Sequence, residues 1–401
     1  MRVLYVNHTS QISGAEHSLL TLLAGLPGEV SPLVAAPEGP FAEAVRALGL
    51  PVHRLQGTAG SLKLHPRHTG VALAQLARAA VALRRLASHL RIDVVHANSI
   101  RAGIICVLAS RLGGPPAVVH VRDCLPPSPV SRATRRLIGH GAAAVVSNSR
   151  YTEGRFMKPG FPARARVVYN AVDLKRFDPA RIERSEARAE LGLDPSHVVL
   201  AVVAQLTPWK AQDDAVRIAR LLRDVHPGIR LLLVGSAKFV AGATRYDNPA
   251  YVRSLERLID ELGVSREVLQ LGEREDIARV LRAVDIVLVP SWEEPFGRSV
   301  SEALAMEVPV AATSVGGPAE LIAHGVEGIL LAPRDPERWA EALEPLIGDP
   351  ELRAEMGRAG RVRGKAQFTT ERHVEAVMAV YGEVMAAPAG ARNRKTSARG
   401  R

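Results

Sequence analysis

The stretch Pro290–Glu302, P-S-W-E-E-P-F-G-R-S-V-S-E, holds two carboxylates placed on either side of a turn, Glu294 and Glu302. The run V-D-I-V-L-V before it (284–289) has the length and β-branched content of a strand buried on both faces of a parallel sheet. Pro295 and Gly297 break regularity, and from Arg298 the pattern R-S-V-S-E-A-L-A-M has helical spacing and good helix formers. A strand, a glycine-containing turn and a helix start make a natural anion site, because unpaired N–H groups and the positive end of the macrodipole face the turn. At about 1.5 Å per helical residue the two acids are expected roughly 10 Å apart. Carboxylates that act together on one glycosidic bond sit about 5–9.5 Å apart. This pair instead suits the two ends of an elongated ligand with an anionic middle, the shape of a nucleotide-diphosphate sugar.

Other residues of chemical interest also fall at expected strand ends. Ser13-Gly14-Ala15-Glu16 lies between a strand and a helix, where a small residue lets backbone amides approach a phosphate. His120, in A-V-V-H-V-R-D, closes an apolar strand and by position points into a cleft; Arg122 and Asp123 follow it, as orienting groups or as a structural ion pair. His96 and Asn98, in V-V-H-A-N-S, end a neighbouring strand. No Asp-x-Asp motif or His/Cys cluster stands where a diphosphate would need a cation, and Asp213-Asp214 lie along a helix as a solvated pair. A metal-independent reaction is the expectation.

These residues need a scaffold, and the pattern supplies one. Strand candidates (2–8, V-S-P-L-V-A-A, L-P-V-H-R-L, I-D-V-V-H-A, A-V-V-H-V-R, A-A-A-V-V-S-N-S, A-R-V-V-Y-N) alternate with helical segments at 41–48, 69–91 and 101–112. A second series (198–204, 230–235, 267–272, 285–290, 308–313) repeats the plan. Repeated β-α units imply doubly wound parallel sheets with ligands at the strands' C-terminal ends. The expected boundaries are an acceptor-binding domain over 1–180, a nucleotide-sugar domain over 181–370, a helix over 371–386 returning to the first domain, and a disordered basic tail over 387–401.

Composition narrows the partners. Residues 1–180 carry 22 Lys and Arg against 9 Asp and Glu, residues 181–386 carry 25 against 32, and the remaining tail carries 5 and none. A basic front half calls for an anionic partner, a phosphorylated acceptor or a membrane surface. Nucleic acid is not expected, because aromatics are 4% and no basic stripe is interleaved with stacking residues. The two cysteines, Cys106 and Cys124, are in no metal or disulfide spacing, and no run approaches 18 apolar residues. A cytoplasmic protein, with peripheral contact at the inner face of the membrane, is the expectation.

E-P-F-G-R-S-V-S-E resembles the Glu-x7-Glu signature of family 4 of the retaining, nucleotide-sugar-dependent glycosyltransferases. That family has the α/β GT-B fold, two doubly wound Rossmann-like domains facing across a cleft. The resemblance implies that Glu294 approaches hydroxyls of the donor sugar and Glu302 the ribose hydroxyls. Ser13-Gly14-Ala15-Glu16 resembles the family's Gly-Gly-x-Glu loop with Ser13 for the first glycine. A-Q-L-T-P-W-K-A (204–211) resembles G-R-L-x-x-x-K-G, whose Arg and Lys neutralise the donor diphosphate. Lys210 is kept, while Gln205 and Ala211 stand where the Arg and Gly would be, and Arg298 is expected to supply the missing charge. Leu271-Gly272-Glu273-Arg274 resembles the loop that meets the nucleobase, and Gly316-Gly317-Pro318-Ala319-Glu320 the Gly-Gly-x-x-Glu loop or a plain helix cap. Asn170-Ala171-Val172-Asp173 matches Asn-x-Val-Asp ahead of the hinge, with a structural role.

The catalytic residues so implied are His120, beside the transferred sugar, and Glu294. The donor set is Gly14, Lys210, Gly272, Glu273, Arg274, Glu294, Phe296, Gly297, Arg298, Ser299 and Glu302. Glu16, His96, Asn98, Arg122 and Asp123 are left for the acceptor or the cleft. The implied reaction moves a sugar from a UDP- or GDP-sugar to an acceptor hydroxyl with retention, without cofactor, since the nucleotide-sugar is a co-substrate. A sugar-nucleotide 2-epimerase of the same fold, or an inactive nucleotide-sugar-binding protein, are the alternatives.

Overall fold

The computed structural model describes residues 1–55, 69–238 and 246–387. The expectation of a disordered tail falls on residues outside these. The chain divides into two compact units, one of Met1–Asn148, Glu153–Val168 and the chain from Glu371, the other of Ser149–Thr152 and Tyr169–Thr370.

The first series of elements is β1 (Arg2–Val6), α1 (Gly14–Gly25), β2 (Ser31–Ala36), α2 (Pro40–Ala47), β3 (Val52–Arg54), α3 (Thr69–His89) and β4 (Val94–Ala97). It continues with α4 (Ile100–Arg111), β5 (Ala117–Val121), α5 (Pro129–Gly141), β6 (Ala144–Ser147), α6 (Arg150–Phe156) and β7 (Arg164–Val167). The strands form a parallel sheet in the order β3-β2-β1-β4-β5-β6-β7. Every residue of β4, β5 and β6 is buried, as strands covered by helices on both faces require. Side chains alternate between two cores: Val119 and Val121 pack with residues of α3 and α4, whereas Val118 packs with α1 and α2.

The second series is α7 (Arg184–Glu190), β8 (Val198–Val203), α8 (Gln212–Arg223), β9 (Ile229–Val234), α9 (Asn248–Glu261), β10 (Val268–Gly272) and α10 (Ile277–Ala283). There follow β11 (Ile286–Val289), α11 (Arg298–Ala305), β12 (Val310–Thr313), α12 (Pro318–Leu321), β13 (Gly328–Leu331), α13 (Pro336–Gly348) and α14 (Pro350–Gln367). The order β10-β9-β8-β11-β12-β13 contains one strand beyond the five expected. That strand, β13 (G-I-L-L), opens on glycine and carries a single β-branched residue, so it lacks a strand-like run; it forms because its backbone completes the ladder of β12.

The last helix, α15 (Thr370–Ala386), belongs to the first unit except for its opening residue. Val374, Val377, Tyr381 and Val384 recur at helical spacing and enter the core that holds Val3, Tyr5, Val118 and Val146. Each buried side chain of this size contributes about 1.5–3 kcal/mol, enough to fix the helix there. Among the described residues no helix is long and apolar enough to cross a membrane.

Candidate active site

In the second unit β11 ends at Val289 and the chain turns through Pro290–Gly297 into α11. Gly297 takes φ 96°, a left-handed conformation that side chains resist, and so starts the helix abruptly. The turn is held from several directions. Glu294 N–H donates to the Val315 carbonyl at 3.1 Å, and Gly317 N–H donates to the Glu294 carbonyl at 2.8 Å. A Cβ on Gly316 would lie 2.0 Å from that carbonyl oxygen, and one on Gly317 would lie 2.4 Å from Phe296 backbone. The paired glycines therefore do more than cap α12: they let two backbones touch where Glu294 is presented. On another side, the Ser149 and Thr152 hydroxyls donate to the Pro295 carbonyl at 2.6 and 3.1 Å. Glu320 accepts the Arg150 and Tyr151 amides at 2.9 and 2.8 Å, where the start of α6 favours a carboxylate. Phe296 is buried beside Tyr169 and Phe368, with ring centroids 6.3 Å away in each case.

Both acids are buried, Glu294 to 6% exposure and Glu302 to 7%. A buried carboxylate needs a matching cation and hydrogen bonds to offset its lost hydration. Glu294 is ion-paired with Lys210 and accepts the Ser291 hydroxyl at 3.1 Å. Glu302 is paired with Arg298, one helical turn before it. Arg298, expected to supply the charge absent at Gln205, is matched to the second acid in this structure. Ser299 is half-buried in the first turn of the same helix.

Around this centre the other expected donor residues have local partners. Gly272 takes φ 64°. Glu273 accepts the Ser236 hydroxyl at 2.8 Å and pairs with Lys238 at 2.7 Å; Arg274 Nε donates to Asp276 at 2.8 Å. Gln205 is half-buried, and its carbonyl accepts the Gln212 side chain at 2.9 Å. Asp213 and Asp214 are not the solvated pair expected. Asp213 accepts the Tyr251 hydroxyl of α9 at 2.9 Å, and burial together with Asp213 pushes the Asp214 carboxyl up to about 6, because α8 packs against both α9 and α13.

In the first unit Gly14 is exposed and begins α1, with Ser13 as its cap. The Ser13 N–H and hydroxyl both donate to Glu16, at 3.0 and 2.6 Å, so this buried acid is spent on holding the helix start. That accounts for a serine where the resemblance expected glycine. Arg122 is buried and spans three elements, donating to Asn98 Oδ1 at 3.1 Å, to Ser18 Oγ at 2.7 Å and to His120 Nδ1 at 3.2 Å. Asn98 in turn donates to Asn7 Oδ1 and to the Ala15 carbonyl, at 3.1 and 3.2 Å. Asp123 is exposed, and it is Arg122 that orients the histidine.

His120 lies fully buried on the sheet face that also carries Val118. Strand alternation puts it there, with ring centroids 5.5 Å from His96 and 6.3 Å from His373. Since a guanidinium only donates, His120 Nδ1 is an acceptor and the proton sits on Nε2. His96 Nδ1 lies 2.6 Å from the Tyr381 hydroxyl.

Burial, reinforced by Arg122, holds His120 well below the usual histidine range and lowers His96 to about 3; burial and Arg101 lower His8 to about 4. Unfolding returns all three to about 6.5, so below that pH the unfolded chain binds more protons and the fold loses stability as pH falls toward the folded values. Between pH 7 and 5.5 each should contribute a loss of about 1 kcal/mol. Denaturant unfolding at both pH values should show His96→Gln losing about 1 kcal/mol less than wild type across this interval; equal losses would refute the neutral assignment.

Residues 183–363 match the family described as glycosyl transferases group 1, and residues 12–176 match glycosyltransferase family 4. The D-inositol 3-phosphate glycosyltransferase of Salinispora arenicola is 32% identical over 316 residues, which cover 74% of this chain and 69% of that relative. The chain belongs to glycosyltransferase family 4. A second relative with the same name, from Mycobacterium marinum, is 36% identical over 242 residues, 58% of this chain and 48% of its own. The chain thus spans about half the length of several of the curated relatives it matches. The crystal structure of Anabaena HepE in complex with UDP-glucose superposes with a TM-score of 0.82 at 25% identity, covering 95% of this chain and 99% of that one. Sucrose-phosphate synthase from Thermosynechococcus elongatus, at 20% identity and a TM-score of 0.79 over 96% of this chain and 100% of that one, shows the same fold. The two Rossmann-like sheets are those of GT-B proteins.

Several residues that brace Glu294 and its turn gave no sequence signal. Ser291, Ser149 and Thr152 are common residue types in loops, and their role exists only because the turn before α11 lies against them. Glu320 stood out as part of a motif, but its grip on the start of α6 depends on residues far earlier in the chain.

Proposed function

We propose that this protein transfers a sugar from a nucleotide-diphosphate sugar to an acceptor hydroxyl, with retention of configuration and without a metal. The observation that carries the reading is the pairing of two buried acids with two cations at one helix start, Glu294 with Lys210 and Glu302 with Arg298. Such a set supplies acceptors for sugar and ribose hydroxyls, and donors and backbone amides for a diphosphate between them. The UDP-glucose complex of the Anabaena neighbour favours a uridine donor. The names of the curated relatives, together with the basic first half, favour a phosphorylated polyol as acceptor.

In the reaction the bond from the anomeric carbon to the diphosphate oxygen breaks, and the acceptor oxygen bonds to that carbon on the same face. The acceptor proton passes to the departing phosphate oxygen. Lys210 and the α11 amides take the developing negative charge, while Glu294 positions the sugar. His120, the other catalytic residue the resemblance implies, is held neutral with its proton on Nε2.

A thermal-shift screen of UDP- and GDP-sugars tests the donor. At a hundred times its Kd a donor stabilises the fold by about 2.7 kcal/mol, which for a unit of this size raises Tm by about 5–10 °C. UDP-glucose or a related UDP-sugar should give that shift, and its UDP should be released faster when inositol phosphate is added. No shift with any nucleotide-sugar would refute the proposal.

A further inference from the structure

We propose that Trp209 is a positioning residue of the donor site, whose indole face holds the Lys210 ammonium in place while its anionic partner changes from Glu294 to the donor diphosphate. The inference rests on the function proposed above.

Pro208–Lys210 form a single 3-10 turn that closes on Ala211 at φ 54°. The turn brings Lys210 Nζ to 4.1 Å from the centroid of the adjoining Trp209 ring, inside the range of a cation–π contact. The same ammonium forms the ion pair with Glu294, and the two side chains are only 15% and 7% exposed. The Trp209 carbonyl accepts the Trp292 N–H at 2.9 Å, tying this turn to the loop that carries Glu294. Lysine therefore has a fixed aromatic seat on one side and a carboxylate braced by Ser291 on the other.

These two contacts differ in what a donor does to them. A diphosphate entering at the start of α11 competes with Glu294 for Lys210, and the freed carboxylate becomes available to sugar hydroxyls. The indole offers no proton acceptor and competes for no hydrogen bond, so it holds the cation equally well before and after the exchange. A lysine ammonium is a point charge on a flexible four-carbon stem, and restricting it beforehand removes part of the entropy that binding would otherwise cost. The restriction matters more here because Gln205 stands where the matching family loop carries an arginine, leaving Lys210 as the cation this loop contributes.

A double-mutant cycle on the full chain, read by calorimetric titration with UDP, provides the test. A cation–π seat worth about 1–2 kcal/mol corresponds to about a 5- to 30-fold change in affinity. Trp209→Leu should raise the Kd for UDP by about that factor, and Trp209→Phe, which keeps an aromatic face, should stay within about threefold of wild type. In a Lys210→Met background, Trp209→Leu should change the Kd less than about twofold, since the seat has lost its occupant. A residue that merely supports the fold would give the same loss in both backgrounds, and that result would overturn the inference, as would a Trp209→Leu protein that binds UDP like wild type. Wild-type protein that binds neither UDP nor GDP would instead overturn the donor reading itself, and the inference with it.

Discussion

Glu294→Gln should lower the rate of sugar transfer by about 10- to 150-fold while leaving a folded protein. The substitution is nearly isosteric and keeps an oxygen for the Ser291 hydroxyl, which now lies 3.1 Å from the carboxylate. What it removes is charge. Hydrogen bonds from sugar hydroxyls to a carboxylate contribute about 1.5–3 kcal/mol each, against about half that for a neutral acceptor. Two such bonds weakened at the reacting sugar account for the expected range. Lys210 would lose its counter-ion, but at 15% exposure its ammonium still reaches water, so the cost to the fold should stay below the 3–5 kcal/mol or so of a fully buried broken pair. Release of UDP under saturating donor and acceptor, with the thermal midpoint measured alongside, decides the matter. A variant that transfers within about threefold of wild type would remove Glu294 from the mechanism.

Gly316→Ala should be among the most damaging single-methyl additions in the second unit. The residue combines φ 116° with a Glu294 carbonyl oxygen 2.0 Å from where the Cβ would sit, and the Glu294 carbonyl carbon is 2.8 Å away. Backbone atoms cannot rotate aside as a side chain can. Strain at such a φ alone costs about 1–3 kcal/mol, and relieving the overlap means moving the turn that presents Glu294. A total near 3–4 kcal/mol corresponds to a fall in Tm of about 6–15 °C for a unit of this size, accompanied by loss of transfer. Gly325→Ala is the control: its φ is 83°, with nothing within 4 Å of the added carbon, so it should show the strain without the collision. Calorimetric midpoints of the two variants that agree within 2 °C or so would show that the close approach to Glu294 carries no energetic weight.

Much of the scaffold was legible because its signals are local. Buried parallel strands need continuous apolar runs, and β4, β5, β6 and β11 are such runs, so their existence and order could be read directly. The break at Gly297 and the helix that follows were equally plain, since only glycine accepts that backbone at no steric cost. Glu294 and Glu302 could be singled out because they bracket that turn. Strand β13 was not legible because G-I-L-L opens on glycine and carries a single β-branched residue.

What the residues do to one another was decided by tertiary structure. Lys210 and Glu294 are 84 positions apart and meet only because β8 and β11 are neighbours in the sheet. Arg298 could be read as a cation for a diphosphate, but not as the partner of Glu302, against which the first turn of α11 puts it. His120 was readable as a strand-end histidine, but not as a neutral one, because its protonation depends on Arg122 and on burial among residues from α1 and α15. Sequence periodicity fixes which face a residue occupies; the partner on that face, and hence the charge and the proton, follows from which distant segments pack there.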